Sequence, residues 1–140
     1  MLKFILAADD NEIVASLLEL SLIKAGYAVE VVKDGAAVLT RLASVTPDVL
    51  FLDLDMPWVG GLEVLRRIKQ EPRLAPIPTV MLTASDDTSD IVQARRLGAS
   101  GYLVKPFESE DLIRKVRSLL SADGVVWLDD YTSVTSRRSA

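Results

Sequence analysis

The stretch PDVLFLDLDMPWVGG, residues 47–61, contains an apolar run followed by two aspartates, Asp53 and Asp55. A proline, Pro57, comes shortly after them. An apolar run without alternation is typical of a parallel strand that helices cover on both faces. The D-x-D after it fits three interpretations: a nucleophile with its acid partner, a metal site, or an ordinary acidic turn. The choice depends on what the rest of the chain places beside these two residues.

The same pattern of apolar runs and amphipathic segments recurs along the chain. Apolar runs predict five strands, at residues 3–8, 28–32, 48–53, 77–83 and 101–104. Amphipathic segments predict a helix after each strand, at residues 11–25, 35–44, 61–71, 87–97 and 108–121. Because crossovers between parallel strands are right-handed, this alternation predicts an α/β fold with a doubly wound parallel sheet of five strands.

Local signals support the predicted helix ends. Asp10 is expected to cap the helix that begins at Asn11, and Gly26 and Gly98 are expected to end the first and fourth helices. Three acids favour the N-terminus of the fifth helix: Glu108, Glu110 and Asp111.

The helical pattern ends near residue 121, so we expect one domain over residues 1–121. Residues 122–140 read as a tail or the start of a linker, because most of them are polar. Their apolar run, residues 125–128, includes Trp127. It could pack back on the same chain, start an output domain or dock on a partner, and we expect the first.

The composition excludes several classes of function. With 140 residues and 49% hydrophobic residues, the chain suits a single compact domain. A net charge of -4 without a basic face argues against direct binding of nucleic acid. The absence of cysteine and histidine excludes disulfides, Cys/His zinc sites and histidine-based triads. The N-terminus resembles neither a signal peptide nor a membrane span, so we expect a cytoplasmic protein.

Polar residues follow four of the predicted strands: Asp9 and Asp10, then Asp53, Thr83 and Lys105. Each is a weak signal alone, because Asp is common in caps and turns. In a parallel sheet, however, these strand ends meet at one edge. Two carboxylates about 4 Å apart repel by roughly 4 kcal/mol at a surface-like dielectric. Three acids therefore favour a hard divalent cation, Mg²⁺ or Mn²⁺, and a site with a lysine and a hydroxyl suits a phosphoryl group.

Four motifs in this order and spacing resemble the receiver domains of bacterial two-component response regulators, which have a flavodoxin-like, CheY-like (βα)5 fold. They are ILAADD (5–10), PDVLFLDLDMPWVGG (47–61), VMLTAS (80–85) and GASGYLVKPF (98–107). The resemblance implies that Asp53 is the phosphoacceptor. It also implies that Asp9, Asp10, Asp53 and the backbone carbonyl of Asp55 bind Mg²⁺ or Mn²⁺.

The resemblance also implies a switch. Thr83 and Lys105 would sense the phosphoryl group, and Tyr102 would turn inward on activation. The Lys105–Pro106 peptide bond would be cis, as is usual in the family. Asp55 and Ser85 occupy positions that tune dephosphorylation.

The partners follow from the same resemblance. A histidine kinase, a phosphotransfer protein or a small phosphodonor would phosphorylate the domain, which is not an enzyme for a free substrate. The fourth helix, fifth strand and fifth helix would present the changed surface to a downstream protein or output domain. Gly60 replaces a common aspartate, so we expect a more flexible loop without loss of chemistry. Gly101 replaces the acid typical of salt-bridged dimers, so that dimer is not expected, while another homodimer is left open.

Two other interpretations use the same residues. In a phosphatase of the haloacid-dehalogenase type, Asp53 would be the nucleophile and Asp55 the general acid. In that family, however, the D-x-D comes first and the acid pair late, and here Asp9 and Asp10 come first. In a receiver-like module that only binds partners, one of the acids, the threonine or the lysine is usually missing, and this chain has them all.

Overall fold

The computed structural model describes residues 2–84 and 88–121, with the side chain of Thr88 excepted. The strands are β1 (Phe4–Ala8), β2 (Ala28–Val32), β3 (Val49–Asp53), β4 (Thr79–Thr83) and β5 (Gly101–Val104). The helices are α1 (Glu12–Lys24), α2 (Gly35–Leu42), α3 (Gly61–Gln70), α4 (Thr88–Leu97) and α5 (Ser109–Leu120). All strand pairs are parallel and the order is β2-β1-β3-β4-β5. The predicted doubly wound, flavodoxin-like sheet is confirmed.

The sheet separates two hydrophobic layers, because alternate side chains of a strand point to opposite faces. Leu50 and Leu52 of β3 pack with α2, α3 and α4, whereas Val49 and Phe51 pack with α1 and α5. Every residue of β3 and of β4 is buried. This burial explains why their sequences are apolar without alternation.

The helix ends differ from the predicted ones at α1. The prediction that Asp10 caps this helix was wrong: Asn11 is the N-cap, and its side chain accepts hydrogen bonds from the amides of Ile13 and Val14. The helix therefore begins at Glu12, and Asp10 is left to face the carboxyl edge of the sheet. Gly26 and Gly98 follow α1 and α4 with positive φ angles of 99° and 108°, the conformation that favours glycine.

Strand β4 begins at Thr79, two residues later than predicted. Pro78 has no amide to donate to a neighbouring strand, although its carbonyl accepts from Leu50 at 2.9 Å. On α5, Glu110 and Asp111 lie in the first turn as expected, and Glu108 is the N-cap without a side-chain hydrogen bond.

Two predictions fall outside the described residues: the dephosphorylation-tuning residue Ser85 and the tail, residues 122–140. Among residues 2–84 and 88–121, no helix is long and apolar enough to cross a membrane.

Candidate functional site

The site lies at the carboxyl edge of the sheet, where β1 and β3 are neighbours. The chain runs from β1 outward to β2 in one direction and returns to β3 on the other side, so ligand sites are expected beside these two strands. Ala8 pairs with Leu52 across them. Asp9, directly after β1, and Asp53, at the end of β3, therefore stand side by side.

Three acids form a cluster here: Asp9, Asp10 and Asp53, each with a carboxylate oxygen within 4.8 Å of the others. Asp9 and Asp53 are buried, and Asp10 is exposed. One open side of the cluster thus faces solvent, and a ligand can reach the two buried acids from there.

Lys105 joins the two buried acids. Its Nζ atom lies 2.8 Å from Oδ2 of Asp9 and 3.3 Å from Oδ1 of Asp53. The backbone positions this lysine, because its amide donates to the carbonyl of Thr83 at 2.7 Å. The peptide bond between Lys105 and Pro106 is cis. One ammonium thus compensates two carboxylates from adjacent strands.

Backbone amides hold the two buried acids in place. The amide of Asn11 donates to Oδ1 of Asp9 at 2.9 Å, and that of Asp55 donates to Oδ1 of Asp53 at 3.1 Å. The contact of Oδ2 of Asp9 with Lys105 is an ion pair, and this buried oxygen accepts no directed hydrogen bond from the described residues. A buried carboxylate oxygen with spare acceptor capacity therefore faces the cluster.

The electrostatics of Asp53 and Lys105 are coupled. Burial raises the pKa of Asp53, the hydrogen bond from Asp55 opposes this, and the charge of Asp9 adds to the rise while Lys105 reduces it. Burial alone would lower the pKa of Lys105, but its close contact with Asp9 and the charges of both acids outweigh burial and raise it. Lys105 thus keeps its positive charge, and the negative charge of Asp53 beside it is only partly compensated.

The residues present fit a hard divalent cation. The donors are carboxylate oxygens, the ligands that Mg²⁺ prefers, and one buried oxygen has no directed hydrogen bond in the described chain. A cation would also offset the repulsion among the three acids.

The predicted switch residues lie next to this cluster. Thr83 ends β4 and is buried, and β4 is the neighbour of β3, with Asp53 paired to Leu82. Tyr102 is buried and packs in the same hydrophobic layer as Met81. The two residues are neighbours in the register of β4 and β5. The side chain of Asp55 is exposed, and its backbone amide contacts Asp53.

The loop from β3 to α3 has two features that the sequence interpretation missed. Trp58 has a φ angle of 62° and is 89% exposed. The signal was available, since Pro57 suits the first central position of a type II turn, and the next residue then needs a positive φ. Gly61 packs so closely that an added Cβ would lie 2.3 Å from the carbonyl oxygen of Asp53. The loop is therefore held against the backbone of the candidate nucleophile.

Comparison with known proteins gives one consistent family. Residues 5–117 match the response regulator receiver domain. The DNA-binding dual master transcriptional regulator RpaA of Synechocystis sp. is 38% identical over 116 residues, which are 83% of this chain and 48% of that protein. The transcriptional regulatory protein TrcR of Mycobacterium tuberculosis is 39% identical over 116 residues, 83% of this chain and 44% of that protein. The chain thus spans about half the length of these relatives.

Solved structures agree with the sequence relatives. The chemotaxis response regulator CheY4 of Vibrio cholerae superimposes with a TM-score of 0.81 at 28% identity, over 85% of this chain and 99% of that one. The family match over residues 5–117 includes Asp9, Asp10 and Asp53, and it favours the receiver domain over the phosphatase alternative. The chain belongs to the family of response regulator receiver domains, the phosphorelay modules of two-component systems.

Proposed function

We propose that Asp53 is the phosphoacceptor of this receiver domain. The observation that carries the proposal is the position of its carboxylate, which is buried at the end of β3, 3.3 Å from the ammonium of Lys105 and beside Asp9. A nucleophile needs a lone pair that the phosphoryl group can reach, a neighbouring positive charge for the incoming phosphoryl oxygens, and a fixed orientation. The amide of Asp55 contributes the last of these.

The reaction is a transfer between two groups. A carboxylate oxygen of Asp53 forms a bond to phosphorus while the bond from phosphorus to the donor breaks. The donor is a phosphohistidine of a kinase or phosphotransfer protein, or a small acyl phosphate such as acetyl phosphate. The electron pair of the broken bond stays on the donor's nitrogen or oxygen. Lys105 and the hydroxyl of Thr83 would hold phosphoryl oxygens, which spreads their charge in the transition state.

Asp9, Asp10, Asp53 and the backbone carbonyl of Asp55 would hold Mg²⁺ or Mn²⁺. When bound, the ion would neutralise negative charge on the phosphoryl oxygens. The protein's own part is to keep Asp9 fixed through the amide of Asn11, at 2.9 Å.

Phosphorylation would add close to two negative charges at the end of β3. Lys105 would then shift from Asp9 toward the phosphoryl group, and Thr83 would donate its hydroxyl to it. Tyr102 would respond to Thr83 through the packing between β4 and β5, and its side chain is already buried in this structure. The surface of α4, β5 and α5 would change its affinity for a downstream protein or output domain.

Asp55 and Ser85 would set how long the signal lasts, and the exposed side chain of Asp55 would act on the water that reaches the acyl phosphate. The domain would act on itself alone and not as an enzyme for a free substrate. We also propose a cytoplasmic location. Some of these relatives are named as DNA-binding proteins. DNA binding is not proposed for this chain, because the chain matches only about half of their length.

The test is phosphorylation with acetyl phosphate and Mg²⁺, read by intact-protein mass. We expect one phosphoryl group on the wild-type chain and none on Asp53→Asn. Asp55→Asn is the matched control, two residues away with an exposed side chain, and should still be labelled. Beryllofluoride with Mg²⁺ should bind the wild type and not Asp53→Asn. If the wild type takes up neither, the chain is a receiver-like module that binds partners without phosphorylation.

A further inference from the structure

A groove runs between α1 and α5, on the side of the sheet away from α3. It has a volume of about 820 Å³. The hydroxyls of Ser21 and Ser109 meet across it and join the two helices. Its floor is apolar: Leu20, Ala25 and Ile113 line it. The groove continues to Ser118, in the last turn of α5, so it reaches the point where the described chain ends.

Helix α1 is apolar on two faces. Leu18 and Leu22 are buried against the sheet, as expected for a helix of a doubly wound fold. The opposite side is apolar as well, with exposed Ile13, Leu20 and Ile23. Apolar residues on two opposite sides are typical of a helix that is covered on both of them. Here the described residues cover only the side facing the sheet.

The rim of the groove is positively charged. Lys24, Arg114 and Arg117 line it, against a single acid, Glu110. Arg114 pairs with Asp111 at 2.9 Å, whereas Lys24 and Arg117 form no ion pair with any described residue. An acidic segment with an apolar centre would complement this groove in both charge and polarity.

The tail of the same chain has that composition. Residues 122–131 read ADGVVWLDDY, an apolar run of four residues between Asp123 on one side and Asp129 and Asp130 on the other. Asp-Gly at 123–124 is a strong turn signal. The described chain ends at Ser121, directly after α5, so a turn at residues 123–124 would direct the apolar run back toward the groove. Six extended residues span about 20 Å, close to the length of about 18 Å for the twelve residues of α5.

We propose that residues 125–128 dock in the groove between α1 and α5 of the same chain, with Trp127 on the apolar floor and the flanking aspartates against the cations of the rim. The bound segment covers part of the apolar outer side of α1. A partner that uses this side must displace the tail. The proposal is independent of phosphorylation at Asp53.

The fluorescence of Trp127 tests the docking in the full chain. The sequence has two tryptophans, so Trp58→Phe leaves Trp127 as the reporter, and Trp58 is too exposed for its replacement to alter packing. We expect emission at a shorter wavelength than that of a water-exposed indole, and weak quenching by acrylamide. In this background Leu20→Glu places a negative charge in the groove. It should raise the quenching constant several-fold and shift the emission to longer wavelength.

Ile13→Glu is the matched control. Ile13 lies on the same helix and is 82% exposed, more than Leu20 at 65%, but it does not line the groove. It should leave the fluorescence of Trp127 unchanged. A second variant changes only the tail: Asp129→Asn with Asp130→Asn should raise the quenching constant, because the attraction to the rim is lost.

Three results would overturn the proposal. The first is that acrylamide quenches Trp127 of the parent chain as strongly as a free indole, which is expected if the tail is a linker. Another is equal quenching of Leu20→Glu and Ile13→Glu. The third is shielding that grows with protein concentration, since the groove would then hold the tail of a second copy.

Discussion

Lys105 bridges Asp9 and Asp53, with its ammonium 2.8 Å from one carboxylate and 3.3 Å from the other. The bridge links the loop after β5 to the ends of β1 and β3. It also compensates two of the carboxylates whose charge a bound cation would neutralise. Stability and metal affinity of this domain should therefore be coupled through one side chain.

Replacing Lys105 with methionine should destabilise the metal-free domain by about 3 kcal/mol, because two buried carboxylates lose their compensating charge. Mg²⁺ should then raise the melting temperature more in the variant than in the wild type, since the cation no longer meets a positive charge. Thermal melts with and without Mg²⁺ measure both effects. Lys33→Met is the control, because Lys33 pairs with Glu12 at 3.5 Å on the surface and such pairs contribute little. Equal melting of Lys105→Met and wild type without Mg²⁺ would contradict the expected role of the bridge.

Asp55→Asn should leave phosphorylation intact and change the rate of dephosphorylation. The backbone amide of Asp55 orients Asp53 and is retained in the variant, while the lost charge lies on the exposed side of the site. The decay of the phosphorylated mass after removal of acetyl phosphate measures the rate. If Asp55→Asn and Asp53→Asn abolished labelling equally, the proposed division between nucleophile and modulator would be wrong.

Gly60 and Gly61, at the start of α3, should respond in opposite ways to replacement by serine. Gly60 is the N-cap with an ordinary φ of -72° and no side-chain cap, and an added Cβ would lie 3.5 Å from the nearest atom, the carbonyl oxygen of Leu54. Gly60→Ser completes an S-x-x-E capping box with Glu63 and should stabilise the domain by about 0.5–1 kcal/mol. In Gly61→Ser the Cβ would meet the carbonyl of Asp53 at 2.3 Å, so we expect a loss of about 2 kcal/mol.

Chemical denaturation of both glycine variants measures these changes. The two variants should also differ in phosphorylation. Gly60→Ser should be labelled at the normal rate. Gly61→Ser should be labelled slowly, because its clash displaces the backbone of Asp53. A stable Gly61→Ser would show that the loop can move away from Asp53 at low cost.

Because of Lys69, the free energy of unfolding of the domain should rise with pH in the alkaline range. Its ammonium donates to the carbonyls of Ala75 and Ile77, both at 2.8 Å, and burial lowers its pKa below 10.5. Between the folded-state pKa and 10.5 the unfolded chain binds more protons than the folded one, so the free energy of unfolding increases with pH in that window. The neutral amine still has hydrogens for both carbonyls.

Lys69→Met isolates this contribution. It should lower the free energy of unfolding by about 2 kcal/mol at neutral pH, because two carbonyls lose their donor. The difference from the wild type should then widen as the pH approaches 10.5. A difference that stays constant or narrows would mean that the charge of Lys69 is not disfavoured by its surroundings.

The order of strands and helices could be predicted from the sequence because it depends on local patterns. Apolar runs of five residues, helical periodicity and two terminal glycines are properties of neighbouring residues. The meeting of Asp9, Asp53, Thr83 and Lys105 could also be predicted, since parallel strands bring their carboxyl ends to one edge. The cap of α1 could not be assigned with the same certainty, because Asp10 and Asn11 are both good caps, and only the path of the chain after β1 decides between them.

By itself, the sequence determined the fold class and the edge of the sheet that carries the acids, because hydrophobic periodicity and strand direction are encoded locally. Only the tertiary structure decided which acids share Lys105, that Asn11 caps α1, that Gly61 touches the backbone of Asp53 and that Lys69 caps two loop carbonyls. The first is a contact between segments distant in the chain, the second is a choice between neighbouring acceptors, and the last two are contacts of loops with residues six or eight positions away. Such contacts depend on strand register and helix packing, which set distances that no local pattern contains.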